Sequence, residues 1–378
     1  MASHHATIDI VRPQDLTASD VERWAELMAL RPDLAGPYFD VRYVKAIAAA
    51  VPKAAVARFW SNGETVGFLP FQKRAGVLQP LGAPLSDYHG VIAAPGFMPC
   101  FDALLAAAGA RRIEFQGWVG PMDDRAGVLK LKRRVADTAQ GYDYWLATQD
   151  EAHHKFFKNI GRCQRNVEKD FGGFAFTWER VTPELLDWTL DLKRDQYKKT
   201  GMHDVFACGW TRAVLDDLAA LDDEAYGLRA GVFRHDGKIV AAEISLMGPD
   251  EVHLWFPAYD PAYYRYSVGI LLTVAIIREL AAKGIKRFDF GTGGEDYKSP
   301  LTTEGGDCLE GELALSPQWM THALDAVAKP GLRLSLQRRV RLIRATEISL
   351  TGWGRAVGRL IQRAMSRVRQ PAPSAREA

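Results

Sequence analysis

The sequence predicts an α/β (α+β) chain built twice: two units of mixed sheet flanked by helices, then a basic helical tail. Three observations carry this. "AAAGARRIEFQG" (106–117) and "AAKGIKRFDFGTG" (281–293) match, each reading as a helix end, a capping Gly, a basic pair and a short strand closed by Gly. "NGETVGFLPF" (62–71) parallels "DGKIVAAEISL" (236–246), each a turn followed by a strand. The two offsets, Gly109 to Gly284 and Gly63 to Gly237, are nearly equal, as an internal repeat requires. Finally, residues 331–378 hold eleven Arg, no Lys and two acids, a net of +9 that leaves −7 on the rest of the chain. The domains are therefore set at 1–150, 151–330 and a tail, 331–378.

In each unit a hairpin comes first and a strand–helix–strand segment follows, which predicts a mixed sheet with helices on it. The halves diverge in the middle. The first has "SDYHGVIAAPGFMPCFDALLAAAG", where Pro95 and Pro99 disturb a smooth loop-to-helix start. The second has "YYRYSVGILLTVAIIRELAAKG", an apolar helix entered directly from a polar loop after the strand "VHLWFPAYD". The second unit opens on "EAHHKFFKNIGRCQRNVEKDFG" (151–172), with His153-His154 at a polar helix start. Its Lys155, Lys158, Arg162, Arg165 and Lys169 share one helical face, which fits either a solvated surface or binding of phosphate or a sugar nucleotide.

Composition narrows the function classes. Apolar residues make up 47% and charged residues 25%, with a net charge of +2, as in a soluble globular protein. Cys100, Cys163, Cys208 and Cys308 lie far apart, without metal spacing, so a reducing cytoplasm and no metal are expected. No apolar run approaches a membrane span, and the N-terminus has no apolar signal core.

A loop running straight into a helix presents unpaired N–H groups and the positive end of the helix dipole, a site for phosphate. Gly269 lets a ligand near the backbone, and Arg265 and Ser267 add a charge and a hydroxyl. An ordinary strand-to-helix turn would look the same. No Walker loop and no G-x-G-x-x-G competes.

The run from "WFPAYD" through the Tyr-Ser-x-Gly loop, the helix, "FDFG" (288–291) and "YK" (297–298) resembles the GNAT-type acyltransferases of the cellulose-biosynthesis CelD group. These are similar in turn to FemAB-like proteins, which carry two GNAT domains in tandem. "LGAPLSDYHGVI" (81–92) extends the resemblance into the first half. Val268 departs from the group, which usually has Pro there. The resemblance implies acetyl-CoA as co-substrate, with Arg265, Tyr266, Ser267, Val268, Gly269 and Ile270 at its phosphates and Leu254–Pro257 along its pantetheine.

Acyl transfer to an amine needs a base, and an acid for the leaving thiolate. Glu243, an acid in an apolar strand, suits the base if half-buried; it also fits the solvent side of its strand. Tyr297 is the candidate acid, and Lys298 a contact to phosphate or an acidic sugar. Asp87, Tyr88, Tyr259 and Arg162 are candidate acceptor contacts, with a turn-forming role as the alternative for Asp87. Asp289 reads as structural, because the first copy has Glu114 there. The stretch 192–206, with Tyr197 and His203, could line the acceptor cleft. Relatives act in exopolysaccharide formation and are thought to acylate amino sugars, whereas FemAB-like proteins transfer amino acids from charged tRNA to peptidoglycan precursors; a non-catalytic, ligand-gated binding module on the same fold is the further alternative. The resemblance thus implies a polysaccharide or lipid-linked sugar precursor as acceptor.

In the tail, Arg355, Arg359, Arg363 and Arg367 recur every four residues beside an apolar helix side, and 332–344 is similar. Such a helix fits an anionic membrane surface or the phosphates of a dinucleotide, or packs on the body with its arginines in water. Nucleic acid fits less well, with one aromatic and no binding motif. The chain is similar to acetyltransferases that modify the holdfast polysaccharide of stalked bacteria, which are tied to cyclic-di-GMP. That resemblance points to the tail arginines for cyclic-di-GMP and to a cytoplasmic protein peripheral at the inner membrane.

Overall fold

The computed structural model describes residues 6–293, 297–315 and 330–358. The first half runs β1 (Thr7–Val11), α1 (Ala18–Ala29), α2 (Val41–Ile47), β2 (Ala54–Ser61), β3 (Glu64–Arg74), β4 (Val77–Pro80), β5 (His89–Gly90), β6 (Ile92–Ala93), α3 (Phe101–Ala107), β7 (Arg112–Val119) and β8 (Gly127–Asp137). After the long helix α4 (Tyr142–Phe171) come β9 (Ala175–Arg180), α5 (Pro183–Thr200), α6 (Trp210–Ala219), β10 (Gly227–His235), β11 (Lys238–Met247), β12 (Glu251–Tyr259), α7 (Val268–Ala282), β13 (Arg287–Thr292) and β14 (Thr303–Ala314). A tail helix, α8 (Pro330–Thr346), follows.

The repeat is visible in the turns. The β2–β3 hairpin turns on Asn62-Gly63 and the β10–β11 hairpin on Asp236-Gly237, all four at positive φ as a hairpin turn of this length demands. The expected helix start at His153-His154 falls on a kink in α4: His153 takes a non-helical conformation (φ −132°, ψ 40°), and two helical segments meet there.

The described strands form one sheet, in the order β1-β2-β3-β4-β7-β14-β8-β13-β12-β11-β10-β9, with β5 and β6 beside β7 and β3. In each half a strand pairs parallel with its crossover partner, β4 with β7 and β12 with β13. The last strand of each half then pairs in the other. β8 lies antiparallel to β13, β14 lies antiparallel to β7, and the two pair with each other. A core cluster also draws on both halves, joining Trp24, Phe39 and Tyr88 to Leu186, Trp210 and Phe256. Neither half can bury its own final strand, so the two are bound in one hydrogen-bonded and apolar unit.

The tail helix α8 is docked on this sheet. Arg338 donates to Glu310 at 2.9 and 3.0 Å, and Arg341 lies 3.4 Å from it. Arg344 pairs with Glu114. Both carboxylates are buried, while Leu336 and Val340 are exposed. These arginines are spent on the body, and part of the apolar side faces out, the reverse of a helix that keeps its arginines in water. Trp210 and His203 hold its end, through the Thr346 carbonyl at 2.9 Å and the Thr346 hydroxyl at 2.9 Å.

Gly117, at φ +72°, is where the first half fixes its own middle segment, since a Cβ there would lie 1.8 Å from the Asp87 carbonyl oxygen. Gly117→Ala is expected to lower unfolding free energy well beyond Gly63→Ala. The latter, also at positive φ but with no atom within 4 Å, should cost about 1 kcal/mol. Denaturant melts of the two variants measure the difference. Glu310→Ala should speed amide exchange of residues 334–346 while the central strands stay protected.

Candidate functional site

The second half carries an open fork. β12 and β13 pair in parallel only from Glu251↔Arg287 to His253↔Asp289. Beyond that rung the strands part, because the Asp289 carboxylate takes the Gly291 N–H for itself at 2.6 Å and Gly291 turns away at φ +80°. Arg133, arriving on the exchanged strand β8, grips the other oxygen of Asp289 at 2.7 and 3.0 Å and reaches Glu251 at 2.8 Å. Asp289 is fully buried, and a hydrogen bond from His253 together with the Arg133 charge holds its carboxyl well below the usual carboxylate range against the opposing effect of burial.

At the mouth of the fork, a 3-10 turn (Pro261–Tyr266) leads through Ser267, in the left-handed region at φ 52°, into α7. The Ser267 carbonyl accepts from Ile270 and Leu271, leaving the N–H groups of Val268 and Gly269 at the open helix end. A Cβ on Gly269 would meet only the Tyr259 ring, at 3.7 Å, so the backbone there is approachable. These features fit the diphosphate of an acyl-CoA, with its arm in the fork.

The candidate phosphate residues separate by role. Tyr266 and Val268 are buried, so they can contribute backbone only. Tyr266 packs on Phe171 and donates to Asp170 at 2.7 Å. Arg265 is exposed but leans back, donating to the Tyr266 hydroxyl and lying 3.6 Å from Asp170. The Ser267 hydroxyl meets the buried Cys163 thiol of α4 at 3.8 Å. Ile270 is half-buried against the α7 core. Arg162, on the exposed face of α4, donates to Asn159 at 2.7 Å. Tyr259 is 44% exposed over the loop.

Glu243 resolves toward the interior. It is 4% exposed, and its Oε1 has no hydrogen-bond partner. β12 bulges opposite Ile244–Ser245, with Trp255 as the extra residue, and the freed Trp255 N–H bonds the Glu243 carboxylate. Burial pushes the carboxyl up to about 8, with the charges of Lys193, His253 and Lys298 limiting the rise. Lys298 therefore lies in the field of Glu243, and its ammonium sits 5.9 Å over the ring of Tyr297, which is 39% exposed.

Asp87 and Tyr88, from the first half, come directly to this place. Asp87 Oδ2 lies 3.0 Å from His253 Nε2, and His253 Nδ1 lies 3.1 Å from Asp289. Tyr88 donates to Asp289 at 2.9 Å, and Arg133 stacks on its ring at 4.4 Å. The two carboxylates raise buried His253 to about 9 despite burial, so it stands as an imidazolium and not as a base. Sequence reasoning missed His253 and Arg133, and had Trp255 only within the stretch Leu254–Pro257 expected along the pantetheine. The signal for His253 was in view, a lone polar residue in the apolar run "VHLWF" just as Glu243 is in "VAAEISL". Arg133 and the Trp255 bulge depend on pairings between distant strands.

The first half has no matching fork. β5 pairs with β7 at Trp118 and Val119 and fills the space beside it. Glu114, the counterpart of Asp289, bonds Gln79 at 3.1 Å and pairs with Arg112 and Arg344. Arg355 is exposed in the helical segment 350–358; Arg359, Arg363 and Arg367 lie outside the described residues. Among the described residues no His/Cys/Asp/Glu group is placed to hold a metal ion, and no helix is long and apolar enough to cross a membrane.

Residues 154–299 match the family model of the acetyltransferase (GNAT) domain, a segment that contains the fork, the bulge and α7. No curated protein matches the chain. Among solved structures, the C-terminal domain of a putative lysylphosphatidylglycerol synthetase from Agrobacterium fabrum is 15% identical, with TM-score 0.47, over 81% of this chain and 94% of that one. A tandem GNAT protein of the clavulanic acid biosynthesis pathway is 12% identical, with TM-score 0.47, over 82% and 100%. FemX is 11% identical, with TM-score 0.46, over 84% and 99%. Over residues 154–299 the chain is thus similar to the GNAT acetyltransferase domain, which supports an acyltransferase.

The buried charges fix a pH dependence of stability. The depressed Asp289 contributes stability above the unfolded carboxylate range, lost as pH falls through its folded value. Raised His253 contributes fully below about 6.5 and loses this as pH rises through about 9. Raised Glu243 likewise favours the fold below about 4.5 and less as pH rises through about 8. Glu243→Gln is therefore expected to be more stable than the wild type at pH 9, the gap closing toward pH 5, in melts across that range.

Proposed function

We propose that the chain is an acyl-CoA-dependent N-acyltransferase acting on the amine of an amino sugar, in an exopolysaccharide or its lipid-linked precursor. One observation carries the acyl transfer: a buried carboxylate with an unpartnered oxygen stands at a strand bulge beside an open fork that ends on an open helix N-terminus. Acetyl-CoA supplies the activated acyl group as a thioester. The helix start and Gly269 bind its phosphates by backbone N–H groups and dipole. The fork receives its arm, and its walls exclude water. Glu243, held near 8, takes the proton of the attacking amine through Oε1. Tyr297, half-exposed beside Lys298, returns a proton to the leaving thiolate in this reading.

The acceptor class rests on the resemblance to polysaccharide-modifying acetyltransferases, as do a cytoplasmic site at the inner membrane and cyclic-di-GMP binding by Arg355, Arg359, Arg363 and Arg367. With Arg338, Arg341 and Arg344 held by the body, the part of the tail left for a membrane or a nucleotide starts near residue 350.

Calorimetry with acetyl-CoA is expected to show micromolar binding by the wild type and none by Gly269→Glu, which sets charge and bulk against the phosphates. A folded wild type that does not bind would instead favour transfer from charged tRNA. In turnover, kcat/KM should rise through about pH 8, and Glu243→Gln should lower it by about 10² to 10⁴ and remove that limb.

A further inference from the structure

We infer that the seam between the halves, where Asp87 and His253 adjoin a row of rings from Tyr38 and Trp255 to Tyr197, binds the acceptor as a cationic amino sugar. This rests on the acyl-transfer reading above and assigns its second substrate.

The seam is aromatic along its length. Tyr38 lies 5.9 Å from Trp255, edge to face, and Trp255 stacks on Phe256 at 4.8 Å. Phe206 continues the row, 5.8 Å from Phe256 and 6.3 Å from Tyr197, with which it is nearly coplanar. Asp87 stands at the Tyr38 end of this row, through His253, which lies 3.0 Å from Asp87 Oδ2 and 5.1 Å, ring to ring, from Tyr38. Trp255 and Tyr197 are only partly buried, which leaves ring surface for a ligand. Flat aromatic surface with a few fixed polar groups suits a sugar ring, and it favours a cation over an anion.

Asp87 supplies the fixed charge. Its side chain is 38% exposed, and only Oδ2 is taken, by His253 at 3.0 Å. Oδ1 accepts no hydrogen bond from the described residues. The buried imidazolium, itself held by Asp289, pins the carboxylate while leaving one oxygen to pair with an ammonium or a hydroxyl. Tyr38 adds a buried hydroxyl with no partner. Next to Tyr197, a surface pocket is lined by Asp191, Arg194, Asp195, Lys198, Met202 and Asp204. Arg194 is tied to Asp204 at 2.8 Å, so the approach is not one that attracts a phosphorylated sugar. The bulge that presents Trp255 to the seam also presents its N–H to Glu243, so acceptor and base meet at one residue.

The test is binding of a short glucosamine oligomer to the full chain, by calorimetry without acetyl-CoA, with the fully N-acetylated oligomer as control. Wild type is expected to bind the amine form about tenfold more tightly than the acetylated one. Asp87→Asn and Tyr197→Ala should each weaken binding about tenfold, near the weight of one charge-assisted hydrogen bond. Tyr197→Phe, which keeps the ring, should bind like the wild type. Acetyl-CoA affinity should not change in the two Tyr197 variants. No binding by the wild type, equal binding of both oligomers, or unchanged affinity in both Asp87→Asn and Tyr197→Ala overturns the assignment. Oligomer binding without acetyl-CoA binding would instead sink the acyl-CoA reading and leave the sugar site standing.

Discussion

The buried carboxylate of Asp289 is the constraint on which the rest of the second half depends. It sits on the last rung joining β12 to β13 and takes the Gly291 N–H, so the strands part there. A fully buried carboxylate is costly unless paired and hydrogen-bonded. Each of its partners comes from a different part of the chain: Arg133 on β8, His253 on β12 and Tyr88 from the middle of the first half. The groove exists because these segments converge. His253, held in turn by Asp87, joins the first half to the groove mouth.

This convergence explains why the chain keeps a first half with no fork of its own. The repeat supplies the same plan twice, and the two copies resolve the same problem differently. In the second, α7 follows a polar loop and the strands stay open. In the first, the segment through Asp87 and β5 lies against β7, in a passage only Gly117 permits. The first copy has given up its groove, and the segment that closes it delivers Asp87 and Tyr88 to the other one. Exchange of β8 and β14 makes the arrangement hard to undo, since each half completes the other's sheet.

The tail follows the same logic of charge. Glu310 and Glu114 are buried acids near the middle of the sheet, and α8 meets them with Arg338, Arg341 and Arg344. The basic segment is therefore in part a structural counter-ion, and its +9 charge overstates what it can offer a partner.

Much was legible in the sequence. Nearly equal offsets between repeated turns and strands gave the doubled α/β plan. The "YYRYSVGILL" run gave a loop feeding a buried helix, and Glu243 stood out as an acid in an apolar strand. These are local signals, written in periodicity, turn residues and helix ends, which depend on neighbours a few residues away. His253 was as visible as Glu243 but had no local pattern to give it a role. The exchange of β8 with β14, the fork at Asp289, the Trp255 bulge and the inward turn of the tail arginines were decided only by tertiary structure. Each depends on partners in other elements, from about thirty to more than two hundred residues away, or on the register between strands, and periodicity carries no information about either.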